Sequence, residues 1–403
     1  MISAGIVGVC TALHLQRDGH TVTLVDPEEP GQQTSFGNAC SISSASVMPT
    51  ALPGLWRKLP GMILDPAGPV NIRWPYLPRL VPFLLAALRN TTRARLERNS
   101  SAIAALSHRA VGAYVELLKE TGAEGFMRRN GALKVYETEA AFETATLERE
   151  LLARNDCTFE ILEGAELAQL EPGLAPIFEK AMFLPDSAAI TNPGRMIKSL
   201  AETFARRGGR VVRDAALDAD LGPRRAVLTR TKRLETEIIV LAAGPWSGPL
   251  SKKLGAPVKL EAERGYHVML EQPPVPLERF VYFAERKFVL TPHEEGLRLT
   301  TGVEYAKVGA APDYRRVRAM LPHAAAVMKG LEPRERSIWC GNRPTLPDSV
   351  PVIGRSPIHA DVYLGFGHSH LGLTLGALTG RILADLAAGR PPEIDLTPYR
   401  PDR

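Results

Sequence analysis

The chain has 403 residues, of which 45% are hydrophobic, and its 49 basic and 44 acidic residues leave a formal net charge of +5. This composition excludes a disordered or fibrous protein and predicts a core large enough for two domains or one large composite. The basic excess is too small to indicate nucleic-acid binding, although it favours anionic ligands or an anionic membrane surface.

The cysteines and the apolar runs narrow the class of protein further. The four cysteines are far apart and form no C-x-x-C pair, which fits a reducing cytoplasm and gives no reason to expect a metal. The longest apolar run, near residues 80–88, is under half of the roughly 20 residues that span a bilayer. We therefore expect a cytoplasmic protein, either soluble or resting on the inner face of the cytoplasmic membrane.

The first 26 residues read as a strand-turn-helix-strand unit that binds a dinucleotide. Residues 3–8 are Ser-Ala-Gly-Ile-Val-Gly, a helical pattern runs on to Asp18, and a β-branched strand ends at Asp26. In such a unit the amides at the helix N-terminus meet a pyrophosphate, and the acidic residue binds a ribose diol. The residues expected to meet the dinucleotide here are Ala4, Gly5, Ile6, Val7, Gly8, Asp26 and Pro27.

The match to G-x-G-x-x-G is incomplete in two respects. Ser3 replaces the first glycine, and only Met1 and Ile2 remain of the strand that should precede it. We expect either that the protein begins several residues earlier or that Ile2 and its neighbours form a stub of strand.

The following hundred residues contain three kinds of segment. Residues 34–39 are small and polar, and residues 48–82 are too rich in proline for a regular helix or a central strand. Residues 83–121 have a helical pattern with a basic face, which is either solvated or in contact with a membrane surface. The basic positions of that face are Arg89, Arg93, Arg95 and Arg98.

From residue 131 onwards strands and helices alternate, which favours an α/β layer. Residues 237–244 are a continuous apolar run, typical of a strand buried on both faces. Residues 258–301 have a period close to two, which predicts an antiparallel sheet. The remaining predicted elements are strands at 131–136, 181–184, 210–212 and 361–366, and helices at 139–155, 163–170, 194–207, 313–328 and 371–388.

These elements predict an α/β, or α+β composite, architecture. It combines a Rossmann-like nucleotide-binding domain with an interleaved antiparallel-sheet domain that would hold the substrate. The nucleotide-binding domain would comprise residues 1–50, 181–255 and 335–403, and the substrate or cap domain residues 51–180 and 256–334.

Six blocks of sequence carry a resemblance to a known family. They are residues 3–8, Asp26, residues 34–39 (Thr-Ser-Phe-Gly-Asn-Ala), residues 241–246 (Leu-Ala-Ala-Gly-Pro-Trp), residues 341–354 with Gly-Asn-Arg-Pro and Pro-Val-Ile-Gly, and residues 367–374 (Gly-His-Ser-His-Leu-Gly-Leu-Thr). In this order they resemble the FAD-dependent D-amino acid oxidase (DAO) family, and within it the bacterial D-amino acid dehydrogenase branch. The resemblance runs from residue 3 to residue 374.

The resemblance implies a bound FAD and places further residues around it. The helix near residue 371 would aim its amides at the flavin N1 and C2 carbonyl, where negative charge accumulates on reduction. Val212 matches the residue whose main chain meets the adenine. The other implied contacts are Thr34, Ser35, Asn38, Ala39, Ala243, Gly244, Gly341, Arg343, His370, Leu371, Gly372, Leu373 and Thr374.

The resemblance also implies three residues at the substrate. Arg343 would bind the carboxylate of an amino acid in a bidentate manner, unless it is instead an ion pair inside the sheet. Tyr266 would lie over the flavin or the substrate, or else belong to the core. His368 would take part in catalysis, or else only shape its loop.

The implied reaction is oxidative deamination of a D-amino or D-imino acid, such as D-proline or a hydroxyproline, by hydride transfer from the α-carbon to flavin N5. A quinone or another carrier would accept the electrons, with membrane contact through residues 48–98. One alternative is an oxidase of glycine or sarcosine type that uses oxygen. The other is a truncated chain that folds but does not retain FAD.

Two departures from the family pattern bear on the site. Cys40 stands where the family commonly has glycine, which raises the question of a covalent flavin link. Asn342 stands where the family is usually apolar, which would tune the substrate pocket.

Overall fold

A computed structural model describes residues 1–54, 61 and 70–403 of the chain. Part of the proline-rich stretch therefore lies outside the described residues. The strands are β1 (Thr23–Asp26), β2 (Ser41–Ile42), β3 (Val70–Ile72), β4 (Met127–Arg128), β5 (Ala132–Tyr136), β6 (Glu160–Glu163), β7 (Lys180–Leu184), β8 (Ala188–Ile190), β9 (Arg210–Arg213), β10 (Ala216–Asp220), β11 (Ala226–Thr229), β12 (Arg233–Glu235), β13 (Ile239–Leu241), β14 (Glu261–Leu270), β15 (Phe280–Phe283), β16 (Phe288–His293), β17 (Gly296–Tyr305), β18 (Glu335–Thr345), β19 (Val352–Arg355) and β20 (Val362–Phe366).

The α-helices are α1 (Ile6–Arg17), α2 (Leu77–Arg89), α3 (Arg93–Thr121), α4 (Glu139–Glu143), α5 (Thr146–Arg154), α6 (Gly164–Leu170), α7 (Pro193–Arg206), α8 (Gly248–Lys253), α9 (Arg315–Arg318), α10 (Leu321–Val327) and α11 (Gly372–Ala387). Within the described ranges, no helix is both long enough and apolar enough to cross a bilayer.

A mostly parallel sheet lies at the centre of the fold, and Ile2 joins its two halves. β1 pairs in parallel with β9, β13 pairs in parallel with β20, and β19 adds an antiparallel edge. Ile2 bridges both Val25 of β1 and Leu241 of β13 in the parallel sense. Its amide donates to the Val240 carbonyl at 2.8 Å, and its carbonyl accepts from the Ala242 amide at 3.1 Å. The expected stub of strand is therefore present and takes the central position.

Each face of this sheet is covered by a different layer. Helices α1, α3, α7 and α11 form one hydrophobic cluster on the first face. The small antiparallel sheet β10–β11–β12 and helix α8 contribute to the cluster on the other face. Helices α1 and α11 approach closely, since a Cβ at Gly380 would lie 2.7 Å from the Thr11 amide. This packing fixes the start of α1 and the start of α11 on the same side of the sheet.

The second large unit is a nine-stranded sheet that has its own hydrophobic core. Strands β14, β15, β16 and β17 pair with one another in the antiparallel sense, as the period-two pattern predicts, whereas β5 and β3 add parallel pairs to β15 and β17. β7 and β18 also belong to this sheet, so the predicted boundaries at 181 and 335 fall at its strands. The division into two domains stays a prediction.

The structure divides some of the predicted helices. The pattern over 83–121 becomes α2 and α3 because the Asn90 side chain donates to the Ala86 carbonyl and Thr92 accepts from the Arg95 amide, a helix end followed by a new N-cap. The predicted helix 313–328 becomes α9 and α10, and a proline near the start of α10 fits a new helix beginning there.

Candidate active site

A cavity of about 2830 Å³ lies between the central sheet and the nine-stranded sheet. It exceeds the 300–1,000 Å³ that is typical of small-ligand pockets, and so has room for a dinucleotide together with a substrate. The sequence-predicted residues that line it are Gly5, Ile6, Val7, Asp26, Pro27, Thr34, Ser35, Asn38, Ala39, Ala243, Gly244, Tyr266, Gly341, Arg343, His368, His370, Leu371, Gly372, Leu373 and Thr374.

Three predicted cofactor residues do not line the cavity. The Ala4 amide donates to Asp26 at 2.7 Å, and Gly8 packs against the Ser3 carbonyl, where a Cβ would lie only 2.2 Å away. Val212 is buried in β9 opposite Val25, while Ala215, Ala216 and Leu217 reach the cavity instead. The adenine contact of Val212 stays a prediction.

The loop at residues 3–8 keeps its turn although Ser3 has replaced a glycine. Ser3 has φ of 98°, a conformation that costs little for glycine and more for other residues. Its hydroxyl donates to Asp26 at 3.1 Å and accepts from the Gly5 amide at 3.1 Å. These bonds help to hold the turn, and they also occupy one oxygen of the carboxylate that is predicted to bind ribose.

The side chains at the start of the loop at residues 34–40 bond to backbone groups elsewhere in the chain. The Thr34 hydroxyl donates to the Asn342 carbonyl at 2.6 Å, and the Ser35 hydroxyl accepts from the Ile6 amide at 3.1 Å. Asn342 itself does not line the cavity. Cys40 has φ of 65°, a left-handed conformation that favours glycine over other residues. Its thiol is fully buried off the lining, and burial raises its pKa, both of which argue against a covalent flavin link.

The start of α11 forms the opposite wall of the cavity. The Thr374 hydroxyl donates to the Ser41 carbonyl at 3.1 Å, and Tyr114 donates to the Leu373 carbonyl at 2.6 Å. These bonds fix the first turn, whose amides have no partners within the helix and carry its positive end. Leu371 and Gly372 complete the turn.

His368 has the environment of a structural histidine. It is 3% exposed, its Nε2 lies 3.0 Å from the Thr379 hydroxyl, and burial lowers its pKa to about 4. It is therefore neutral near pH 7. His370, by contrast, is exposed to the cavity, and its pKa is lowered first by desolvation there, while the charge of Glu263 raises it and that of Arg343 lowers it.

Arg343 lies in β18 and forms an ion pair with Glu263 of β14. Its Nη1 donates to Glu263 Oε1 at 2.8 Å and to the Gly302 carbonyl at 3.0 Å. The guanidinium lies against Gly265, where a Cβ would be 2.3 Å from Nη2. Among the described residues, Nε and Nη2 have no hydrogen-bond partner. One edge of the guanidinium is thus occupied, and the other is available to a ligand.

Tyr266 belongs to a buried network next to this pair. Its hydroxyl donates to Glu304 at 2.5 Å, and Glu304 also pairs with Arg264 at 3.0 Å and with Arg73 at 2.9 Å. Burial, followed by the bond to Glu304, raises the pKa of Tyr266, which therefore stays protonated. The phenol ring lines the cavity while its hydroxyl is held by the network. A direct substrate contact of Tyr266 stays a prediction.

Sequence reasoning missed Glu263, Glu304 and Arg298, a buried arginine behind residues 36–40. The available signal was the presence of charged residues inside otherwise apolar strands, because such residues are rarely buried unless they are paired. Among the described residues, no group of three or more His, Cys, Asp or Glu side chains could hold a metal ion.

Comparison with known proteins supports the dinucleotide site. The family model DAO, described as FAD dependent oxidoreductase, matches residues 4–386. The chain is 36% identical to a D-amino-acid oxidase of Bradyrhizobium diazoefficiens, over 100% of this chain and 98% of that protein. It is 29% identical to a D-amino acid dehydrogenase of Agrobacterium fabrum, over 98% and 96%.

Solved structures share the fold. Glycine oxidase from Geobacillus kaustophilus superposes with a TM-score of 0.75 at 20% identity, over 99% of this chain and 96% of that one. The residues present here also fit a bound FAD. Two helix N-termini face a cavity large enough for it, and Gly8 lets the turn at residues 3–8 close tightly.

Proposed function

Because the chain belongs to the DAO family of FAD-dependent oxidoreductases, we propose that it oxidises the Cα–N bond of D-amino acids or D-imino acids. The observation that carries this proposal is the Arg343–Glu263 pair on the cavity wall. A zwitterionic amino acid presents a carboxylate to the free edge of Arg343 and an amino group to Glu263, so its two charges match the two in the wall. Cyclic amino acids of the D-proline or hydroxyproline type present the same two charges.

The chain's own residues bind and orient the substrate in this proposal. When bound, FAD supplies the two-electron acceptor for oxidation of the Cα–N bond. Arg343 fixes the carboxylate through its Nε and Nη2 edge, and Gly265 leaves room for the guanidinium. Glu263 accepts a hydrogen bond from the amino group. Positioning of this kind supplies much of the catalysis in reactions that lack a dedicated general base.

The first experiment tests whether D-amino acids are substrates. Purified enzyme with FAD is mixed with a panel of D-amino and D-imino acids and an artificial dye acceptor, with and without oxygen. We expect dye reduction by D-isomers and none by the matched L-isomers. A protein that binds FAD and reduces dye with no member of the panel would contradict the proposal.

Arg343→Ala tests the carboxylate site. Loss of a charge-assisted hydrogen bond weakens substrate binding by roughly 1.5–3 kcal/mol. We therefore expect KM to rise roughly 10- to 100-fold with the flavin spectrum unchanged. Arg336→Ala, an exposed arginine on the same strand, is the matched control. Loss of bound flavin in Arg343→Ala would contradict a role at the substrate.

The variant Glu263→Gln tests the proposed binding site for the amino group, with an amino acid and its matched 2-hydroxy acid as the two ligands. We expect the KM for the amino acid to rise roughly tenfold, a loss of about 1.4 kcal/mol in amine binding. The matched 2-hydroxy acid, which has a carboxylate and no amine, should bind more tightly because Arg343 loses a competing carboxylate. Equal weakening of both ligands would indicate that Glu263 only supports the fold.

We further propose that a quinone or another carrier accepts the electrons at the inner face of the cytoplasmic membrane. An exposed apolar face on and before α2 supports this placement, with Trp74 60%, Val81 41% and Leu85 56% exposed. Arg79 and Arg89 are exposed on the same segment and would attract anionic lipids.

Vesicle sedimentation tests the membrane contact. The wild type should co-sediment with vesicles that contain phosphatidylglycerol, and the variant Trp74→Ser with Leu85→Ser should remain in the supernatant. Ile358→Ser, which changes an exposed apolar residue elsewhere, is the control. Peroxide formation at the rate of dye reduction would instead favour the alternative, an oxidase that uses oxygen.

A further inference from the structure

Arg298 of β17 is a buried cation without an acidic partner among the described residues. It is 2% exposed, and its Nη1 donates to the Phe36 carbonyl at 3.1 Å and to the Asn38 carbonyl at 2.9 Å. Its Nη2 lies 3.1 Å from His293 Nε2. Burial and then the charge of Arg298 lower the pKa of His293 to about 3, so this neighbour is neutral. The positive charge of Arg298 therefore stays uncompensated by side chains.

The carbonyl between these two and the two carbonyls that follow also have partners within the protein. His267 Nδ1 lies 3.3 Å from the Gly37 carbonyl, and the Thr291 hydroxyl donates to the Ala39 carbonyl at 2.9 Å. The Cys40 carbonyl accepts from the Ile190 amide at 2.7 Å. Five successive carbonyls, from residue 36 to residue 40, thus have partners within the protein.

Three backbone amides of the same segment, unlike its carbonyls, have no hydrogen-bond partner among the described residues. They are the N–H groups of Gly37, Asn38 and Ala39, and all three residues line the cavity. Amide groups left without a partner in a ligand cavity are available donors for an anionic or acceptor group.

We propose that Arg298 is a positioning residue for the flavin. It holds the carbonyls of Phe36 and Asn38 on the protein side, so that the amides of residues 37–39 face the cofactor. Its charge also favours the reduced flavin, because a buried cation stabilises negative charge in a medium of low dielectric constant. Arg298 does not itself line the cavity, and therefore acts through the loop and through its field.

The test is the midpoint potential of bound FAD, measured by dye equilibration in the absence of any substrate. Arg298→Met removes both the charge and the donors, and Arg298→Gln removes the charge while keeping donors. In both we expect the preference for reduced over oxidised FAD to fall about tenfold, which is about 30 mV for a two-electron couple. Thr291→Val removes one carbonyl bond and no charge, and should weaken FAD binding a few-fold without moving the potential.

Two outcomes would overturn the proposal. One is a midpoint potential of FAD in Arg298→Gln that equals the wild-type value. If Arg298→Met does not fold, Arg298→Gln alone decides the question. The other is a shift in Thr291→Val equal to that in Arg298→Gln, which would trace the effect to the loop and not to charge. The proposal rests on FAD occupying the cavity and not on the substrate class, so an enzyme that turned over no D-amino acid would leave it testable.

Discussion

The loops at residues 3–8 and 36–40 both meet the cofactor cavity, but different parts of the chain hold them in place. The first is held by Asp26 and Ser35, which lie 22 to 29 positions away in the sequence. The second is held by His267, Thr291 and Arg298, which lie 230 to 262 positions away. Each loop carries a non-glycine residue with positive φ, Ser3 in one and Cys40 in the other. Similar backbone strain is therefore stabilised by local bonds alone in one loop, and in the other by a local bond from the Cys40 amide to the Asn38 side chain together with bonds from a second sheet.

Replacing one glycine of each loop with alanine should destabilise the protein in both cases, and more strongly in the first loop. A Cβ at Gly8 would lie 2.2 Å from a backbone carbonyl, whereas at Gly37 it would lie 1.8 Å from the Trp339 ring, a side chain that can shift. We expect Gly8→Ala to lower the free energy of unfolding by about 3 kcal/mol and Gly37→Ala by about 2 kcal/mol, measured by urea titration.

Gly112→Ala is the control for this pair. Gly112 is an exposed residue of α3, and a methyl group added there would contact nothing within 4 Å beyond the adjoining backbone of its own helix, so alanine should stabilise the helix by about 1 kcal/mol. Equal losses at Gly8 and Gly37 would mean that Trp339 is as rigid as the backbone.

Lowering the pH should weaken the support of the 36–40 loop through two histidines of the nine-stranded sheet, His267 and His293. Burial and then Arg298 lower the pKa of both His267 and His293 to about 3, against about 6.5 when unfolded. The unfolded state therefore binds more protons below pH 6.5, and stability falls as the pH drops from there towards 3. At pH 5 the loss is about 2 kcal/mol per histidine.

Thermal unfolding between pH 7.5 and pH 5 measures this effect. The double variant His267→Gln with His293→Gln should lose less stability over that range than the wild type. If both proteins lost the same amount, these two histidines would not be the groups that take up the protons.

The smallest effects should come from Ser3, the strained residue of the first loop. Ser3→Gly relieves about 1 kcal/mol of backbone strain but loses the hydroxyl bonds to Asp26 and Gly5, so the net change should be within about 0.5 kcal/mol. Ser3→Ala loses the same bonds and keeps the strain, so it should be less stable than Ser3→Gly by about 1 kcal/mol.

Apoprotein titration adds a second measurement on the same variants. Ser3→Gly should bind FAD at least as tightly as the wild type, since the Asp26 oxygen that accepts from both the Ser3 hydroxyl and the Ala4 amide loses one of these two donors. Weaker binding of FAD would mean that the Ser3 hydroxyl itself contributes to the site.

The contrast between the loops also explains which parts of the site the sequence could predict. Asp26 and the glycines of the first loop follow from local spacing, because their partners lie in one strand-turn-helix-strand unit. The ordered blocks of the family pattern located Arg343 and the start of α11. Arg298 and Glu263 are marked locally only as charged residues within predicted strands, and their roles depend on which strands of the nine-stranded sheet lie beside the loop. The sequence predicts helix on both sides of residues 90–92, and the apolar pattern itself does not mark the break between α2 and α3. The break depends on Asn90 and Thr92, two polar residues whose side chains bond to the backbone at the helix ends.

The single-residue strand at Ile2 has a consequence for folding during synthesis. The two halves of the central sheet are joined through Ile2, which bonds to Val240 and Ala242, while its neighbours Met1 and Ser3 bond to Val25. Residues 1–3 therefore have a partner only in β1 until strand β13 has been synthesised and has folded beside them. The pairing of β1 with β9 also joins segments that lie far apart in the sequence, so both halves of the central sheet depend on long-range contacts, which form slowly because loop closure costs entropy.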